Sequence, residues 1–293
     1  MELIADIAAV VAPVFVISLI GYIWAKIKLP FDQAMVLQII ILVSTPCLVF
    51  VTLTSMAPPP GEIVRMGMAA LICHIAFALA GWILLKIARL PMRVYLPSLM
   101  LPNSGNLGLS VSMFAFGETG MALAMIYMTA GMIGQFTAIP AIVAGRFDIR
   151  QLLKLPFVHA LVIALAINLL DIKVPVWIDN TARLGGALCI PLALMSLGVA
   201  MAQLHIQNFR RTFLLSAFRV VSGGVIGWLI ASALGLDGIY RGVLVIQSAM
   251  PSALFNYLFA QLNDAEPGEV ASMVLVSTAF SYLTLPILVL LIR

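Results

Sequence analysis

The sequence predicts an all-α integral membrane protein of ten transmembrane helices, built as a 5+5 inverted repeat in which helices 4 and 9 are broken. Three observations predict it: an excess of apolar residues, the even spacing of the apolar runs, and matching prolines in the two halves. Of 293 residues, 63% are hydrophobic and 10% are charged. A soluble globular chain carries roughly 45–50% apolar and about 25% charged residues. One buried core cannot absorb that excess and still leave a charged surface, so the class is membrane-embedded.

Runs long enough to cross a bilayer, about 20 residues each, fall at 3–25, 31–55, 62–87, 94–116, 119–145, 154–171, 176–203, 211–235, 239–261 and 267–292. They are too long and continuous for barrel strands, so they are read as helices. The first, within "MELIADIAAVVAPVFVISLIGYIWAKIK", has acids before it and lysines after it. A signal peptide would be positive first and would end at small residues, so this is a retained span with its N-terminus outside. The connection at 145–156, "GRFDIRQLLKLP", is the longest polar stretch and divides the chain nearly in half.

The second run carries "STPCLVF" and the seventh "CIPLALM", with Pro46 and Pro191 at similar depth; the fourth carries "LMLPNSGNLG" and the ninth "SAMPSALFNY", setting Pro102 against Pro251. Repeats of 1–148 and 149–293 follow, and five spans per half require the second to be inserted inverted. Proline removes a backbone donor and crowds the preceding turn. In hydrocarbon the orphaned groups cost several kcal/mol unless protein, water or ligand satisfies them. Two such breaks in corresponding spans, each followed by small polar residues, point to half-helices meeting near the midplane. Their N-termini would present N–H groups and positive dipole ends to an anion. Asn103, Ser104 and Asn106, with Ser252 and Asn256, would add neutral hydrogen bonds, and Gly105 and Gly108 allow close backbone approach.

Charge sets the orientation. Lys26, Lys28, Lys86, Arg89, Arg93, Arg146, Arg150, Lys154, Arg210 and Arg211 lie on the side opposite the N-terminus; only Arg65, Lys173, Arg183, Arg241 and Arg293 share its side. This bias places both termini outside. The net charge of +4 is therefore a topology signal and implies no nucleic acid partner. Cys47, Cys73 and Cys189 lie inside apolar runs with no C-x-x-C spacing and read as buried thiols.

The stretches "LPNSGNLGLS", "IPLALMSLGVAM" and "AMPSALFNYLFAQLNDAEPGEVASMVLVSTAFSYLTLPILVLL" resemble the auxin efflux carrier family, over essentially the whole chain. The family includes plant auxin exporters and bacterial carriers proposed for malonate and related acids. The resemblance implies a ten-helix inverted repeat similar to that of bile acid sodium symporters, with broken helices 4 and 9 crossing at their prolines. Helices 1, 2, 6 and 7 would form a scaffold, and helices 3–5 and 8–10 a moving transport domain. Pro102 and Asn103 match the family's crossover Pro-Asn, Pro251 its second crossover proline, and Asn256 an amide common in bacterial members. The plant exporters also carry an acid in the second span, whereas 31–55 holds only Asp32, at its edge. That departure bears on an auxin substrate and on a plant-like proton-handling network.

Several readings stay paired. Asn103 is a substrate ligand or the cap of a broken helix. Ser44 and Thr45 face the site from the scaffold or bond their own helix. Arg219, about 12 Å inside the eighth span at the helical rise, has an anion or coupling role or snorkels to the basic side. Gln135, Gln247, Ser277 and Ser281 line a substrate or ion path or join helices. Asp179 and Arg183, at i,i+4, read as a structural ion pair. His74, alone in an apolar helix, reads as packed and hydrogen-bonded, with a proton-relay role as the alternative.

The expected function is secondary transport of a small organic anion, a carboxylate such as malonate or an auxin-like acid, by an elevator-type movement with the site at the helix 4/9 crossing. A non-transporting sensor or a channel on the same fold is the alternative. The absence of a Walker motif argues against ATP as the driver, and no dense cluster of intramembrane acids marks a cation site, leaving Na+ or H+ coupling open. Neither H-E-x-x-H nor G-x-S-x-G occurs, so no enzyme activity, metal or cofactor is expected. The expected partners are the anion and the lipid bilayer, with a homodimer through the scaffold helices compatible with such a motion. The bacterial inner membrane is the expected location, since no targeting extension or long central loop is seen.

Overall fold

The computed structural model describes residues 2–56, 60–145, 153–203 and 205–292. Among them every regular element is helical, and the one extended pairing is an isolated antiparallel contact between Pro102 and Ser252. The chain is thus an all-α membrane protein. The helices are α1 (Glu2–Lys26), α2 (Gln33–Ile39), α3 (Thr45–Met56), α4 (Pro60–Ala88), α5 (Met92–Met100), α6 (Leu109–Ala144), α7 (Pro156–Leu169), α8 (Val176–Ala187), α9 (Cys189–Gln203), α10 (Phe209–Ala233), α11 (Gly238–Ser248), α12 (Leu254–Leu262) and α13 (Pro267–Ile292). The repeat boundary at 148/149 and the basic residues Arg146, Arg150 and Arg293 lie outside the described residues.

Among the described residues, six stretches are long and apolar enough to cross a bilayer: Gln33–Ser55, Gly61–Ala88, Ser104–Val143, Val176–Gln203, Phe209–Ala233 and Pro267–Ile292. The first apolar run also forms one continuous helix, α1, of 25 residues; the remaining runs are shorter or broken, and proline explains several of the breaks. Pro46 has no N–H for the carbonyl of Leu42, and the chain widens into a π-helical turn, Ile40–Ser44, just ahead of it. Pro191 deprives the carbonyl of Ala187 of its partner, and α8 ends at that residue. Within α6, Gly117 sits at φ 65° and ψ −154° and separates the fourth apolar run from the fifth; only glycine adopts that backbone without cost.

Two sets of helices pack mainly among themselves. In the first, α1 lies along α9, and α3 packs on α7 and α8. A β-carbon at Gly21 would overlap the carbonyl oxygen of Met195, and one at Gly198 that of Ser18. Small residues let backbones approach closely where lipid offers no hydrophobic drive for association. Gln33 Nε2 donates to Ser196 Oγ at 2.7 Å and Asn168 Nδ2 to the Leu53 carbonyl at 2.9 Å, adding polar links. In the second set, α4 packs on α5, α6 and α10, and α13 on α10 and α12. An Arg211–Glu269 ion pair ties α10 to α13. The expected Asp179–Arg183 pair forms at 2.7 Å on α8.

Candidate functional site

The fourth and ninth apolar runs break at Pro102 and Pro251, and the two breaks lie against each other. Leu101 leaves α5 in an extended conformation, and Ala253 is extended just before α12. The Asn103 N–H donates to the Pro251 carbonyl at 2.6 Å, and the Ala253 N–H donates to the Leu101 carbonyl at 3.2 Å. Each break thereby satisfies a backbone group that the other has orphaned, which hydrocarbon cannot do. Two further bonds close the crossing. The Ser252 N–H donates to Ser277 Oγ at 3.1 Å, and Asn256 Nδ2 donates to Ser252 Oγ at 3.1 Å and to the Leu101 carbonyl at 3.4 Å.

Asn103 is the most constrained residue of the break. Its φ of −75° and ψ of 59°, with the Ser104 N–H donating to the Pro102 carbonyl at 2.8 Å, make a tight inverse γ-turn. The Asn103 carbonyl accepts from the Gly108 N–H at 3.0 Å, and its Oδ1 accepts from the Asn106 N–H at 3.3 Å. Oδ1 therefore caps the new half-helix, whose first turn is a π-helical stretch, Ser104–Gly108. With Oδ1 committed, Nδ2 is turned away from the backbone, buried and without a partner.

Beside this turn lies a cavity of about 50 Å³. A water needs roughly 10–15 Å³ by the same measure, so there is room for a cluster of waters or a small polar solute. Pro102, Asn103, Ser104, Gly105 and Asn106 form one wall, at the N-terminus of the half-helix that continues into α6. His74 of α4 and Gln135 of α6 form another, while Ile41, Thr45 and Cys189 close it from the first set of helices. Gln135 Nε2 and His74 Nε2, like Asn103 Nδ2, are buried with no partner. An isolated unsatisfied polar atom in such a setting costs about 1–3 kcal/mol. Three around one cavity describe a place shaped for a polar occupant.

The remaining residues singled out in the sequence lie elsewhere. Ser44 is buried with its hydroxyl unpaired and does not line the cavity; its neighbour Thr45 does, with Oγ1 3.6 Å from Cys189 Sγ. Pro251, Ser252 and Asn256 build the crossing itself. Gln247 donates to Ser112 Oγ at 3.2 Å and packs where a β-carbon on Gly108 would overlap it. Ser281 donates to the Thr278 carbonyl of its own helix at 2.8 Å. Arg219 does not snorkel: it is 1% exposed. Its guanidinium donates to the Ser248 carbonyl, the end of α11, at 3.0 Å and stacks 4.5 Å from the Phe77 ring centroid. Among the described residues no carboxylate forms an ion pair with it. The charge faces the negative end of a half-helix that stops inside the protein.

His74, which the sequence marked as a packed histidine, also lines the cavity, and its place there was not legible from the sequence. A single histidine in an apolar helix carries no sign of which face it occupies. The only available hint was Gly131, one turn before Gln135, which leaves space for the ring opposite.

Crossed half-helices around a buried polar cavity, in a chain whose described residues include six stretches able to cross a bilayer, define a multi-pass membrane protein with an internal cavity. Comparison with known families agrees and goes further. The profile of a family described as "Membrane transport protein" matches residues 139–289, just over half the chain. The chain belongs to this family, the auxin efflux carriers that its motifs resemble. It is similar to an uncharacterized transporter of Methanocaldococcus jannaschii, at 23% identity over 94% of this chain and 96% of the relative. It is also similar to an uncharacterized transporter of Methanothermobacter thermautotrophicus, at 27% identity over 94% of this chain and 95% of the relative. The protein is a membrane transporter.

Proposed function

We propose that the protein is a secondary transporter of a small organic anion that binds in the cavity at the crossing of the two broken helices. The observation that carries this reading is the set of unpaired donors, Asn103 Nδ2 and Gln135 Nε2, on a cavity whose wall is a half-helix N-terminus. Amide N–H groups and a positive dipole end suit a carboxylate. Arg219, a buried charge with no paired carboxylate, makes the surroundings more favourable still for an anion.

The cavity is closed on one side by α2–α3 and α9 and on the other by α4, α6 and the crossing. In our reading the chain has ten crossings as two inverted repeats, with both termini outside the plasma membrane. Helices 1, 2, 6 and 7 serve as a scaffold, and helices 3–5 and 8–10 carry the anion past it. A homodimer through the scaffold would anchor that motion.

The test is counterflow in proteoliposomes with labelled malonate, other short dicarboxylates and indole-3-acetate, with and without sodium and pH gradients. Saturable exchange of at least one of them is expected. Flux that rises linearly with concentration would favour a channel, and binding without flux a sensor.

A further inference from the structure

We propose that His74 reads a hydrogen-bond donor on the transported anion, so that the site prefers carboxylates bearing an O–H or N–H group over otherwise similar carboxylates that lack one. This rests on the carrier reading above and narrows its substrate class.

Three observations converge on the imidazole. Its tautomer is fixed: Nδ1 lies 2.7 Å from the Ala70 carbonyl, which only accepts, so Nδ1 carries the hydrogen. In the neutral ring Nε2 is then an acceptor. Its orientation is fixed as well, with the Tyr127 ring centroid at 5.0 Å and that of Phe77 at 5.9 Å. The ring packs beside Gly131, where a β-carbon would stand 2.8 Å from Nε2, so only glycine leaves room for the imidazole there, and Gly131 lines the same cavity as His74. The residue is 6% exposed and Nε2 has no partner.

The residues lining the cavity therefore hold two unpaired donors, Asn103 Nδ2 and Gln135 Nε2, and one unpaired acceptor, His74 Nε2, from three separate elements. A carboxylate uses the donors and leaves the acceptor unanswered. A carboxylate with a hydroxyl or ring N–H answers all three. Leaving a buried acceptor unsatisfied penalises the simpler anion by about five- to hundredfold in affinity.

The experiment is counterflow competition with matched pairs: lactate against propionate, and indole-3-acetate against 1-methylindole-3-acetate. It is run at about pH 8, where an imidazole of ordinary pKa, about 6.5, is neutral. In the unsubstituted protein the donor-bearing member of at least one pair should compete about five- to hundredfold better. In His74→Phe, which keeps a flat ring and removes the acceptor, that ratio should fall to about one whatever the absolute rates. His74→Gln, which restores an acceptor oxygen, should recover part of it. A ratio near one in the unsubstituted protein overturns the proposal without needing a variant, as does an unchanged ratio in His74→Phe. Exchange of no carboxylate at all by the unsubstituted protein would overturn the carrier reading, and the inference with it.

Discussion

Replacing Arg219 with methionine asks what a buried charge without a paired carboxylate is for. The guanidinium sits 4.5 Å from the Phe77 ring centroid, and His74, on the cavity wall, meets the same ring edge-on with centroids 5.9 Å apart. An anion in the cavity then lies on the order of 10–15 Å from the charge, where an effective dielectric of about 20 gives an attraction of about 1–1.7 kcal/mol. That converts to about five- to twentyfold in affinity. The fold itself should be little affected. Methionine forfeits the bond to the Ser248 carbonyl and the contact with Phe77, together about 3–5 kcal/mol. It also relieves a desolvation penalty of several kcal/mol for the buried charge. The assay is the half-saturating concentration of a labelled monocarboxylate in counterflow, with thermal unfolding in detergent as the control. Arg219→Met should raise that concentration about five- to twentyfold, while Arg219→Lys, which keeps the charge, should stay within about threefold of the original. An unchanged value in the methionine variant, or equal losses in both, would refute the electrostatic argument.

Two further outcomes follow from the packing. Gly198→Leu places a side chain where even a β-carbon overlaps the Ser18 carbonyl, so α1 must separate from α9; a sharply lower detergent melting temperature and yield are expected, and wild-type melting would contradict the close approach. Asn256→Ala removes the bonds to Ser252 Oγ and the Leu101 carbonyl and should lower stability by about 1–3 kcal/mol, read as a shift in melting temperature; no shift would mean that the amide does not hold the crossing together.

Much of this was legible in the sequence for a local reason. Proline removes a donor wherever it stands, and Pro102, Pro251, Pro46 and Pro191 lie at or beside interruptions, whereas Pro13, Pro97 and Pro286 sit inside continuous helices. The matching positions in the two halves, with small polar residues after Pro102 and Pro251, are what singled the four out. The membrane class follows equally from composition. What the sequence left open depends on how helices face one another. Ser44 and Thr45 are adjacent, and only the packing of a π-helical turn decides that Thr45 reaches the cavity. Asn103 and Asn256 both follow crossover prolines, yet at different spacings. Asn103 stands directly after its proline and caps a half-helix. Asn256 stands five residues after its proline and turns back onto the crossing. Arg219 was expected to snorkel or to act in the membrane, and its position under Ser248 depends on α10 meeting the end of α11. His74 gave no periodic signal, because its partners Gly131 and Tyr127 belong to a helix more than fifty residues away in the chain.

The measurement that tests the central claim most directly is anion counterflow by Asn103→Asp. Aspartate keeps an oxygen to cap the Asn106 N–H, so the turn and half-helix should persist. It replaces the unpaired Nδ2 donor with a second, charged oxygen facing the cavity. The account predicts a folded protein with wild-type melting and anion exchange reduced at least a hundredfold, to background, on the order of the cost of setting a carboxylate against a carboxylate at close range. Exchange at the wild-type rate would show that the anion does not bind at Asn103 and would contradict the account.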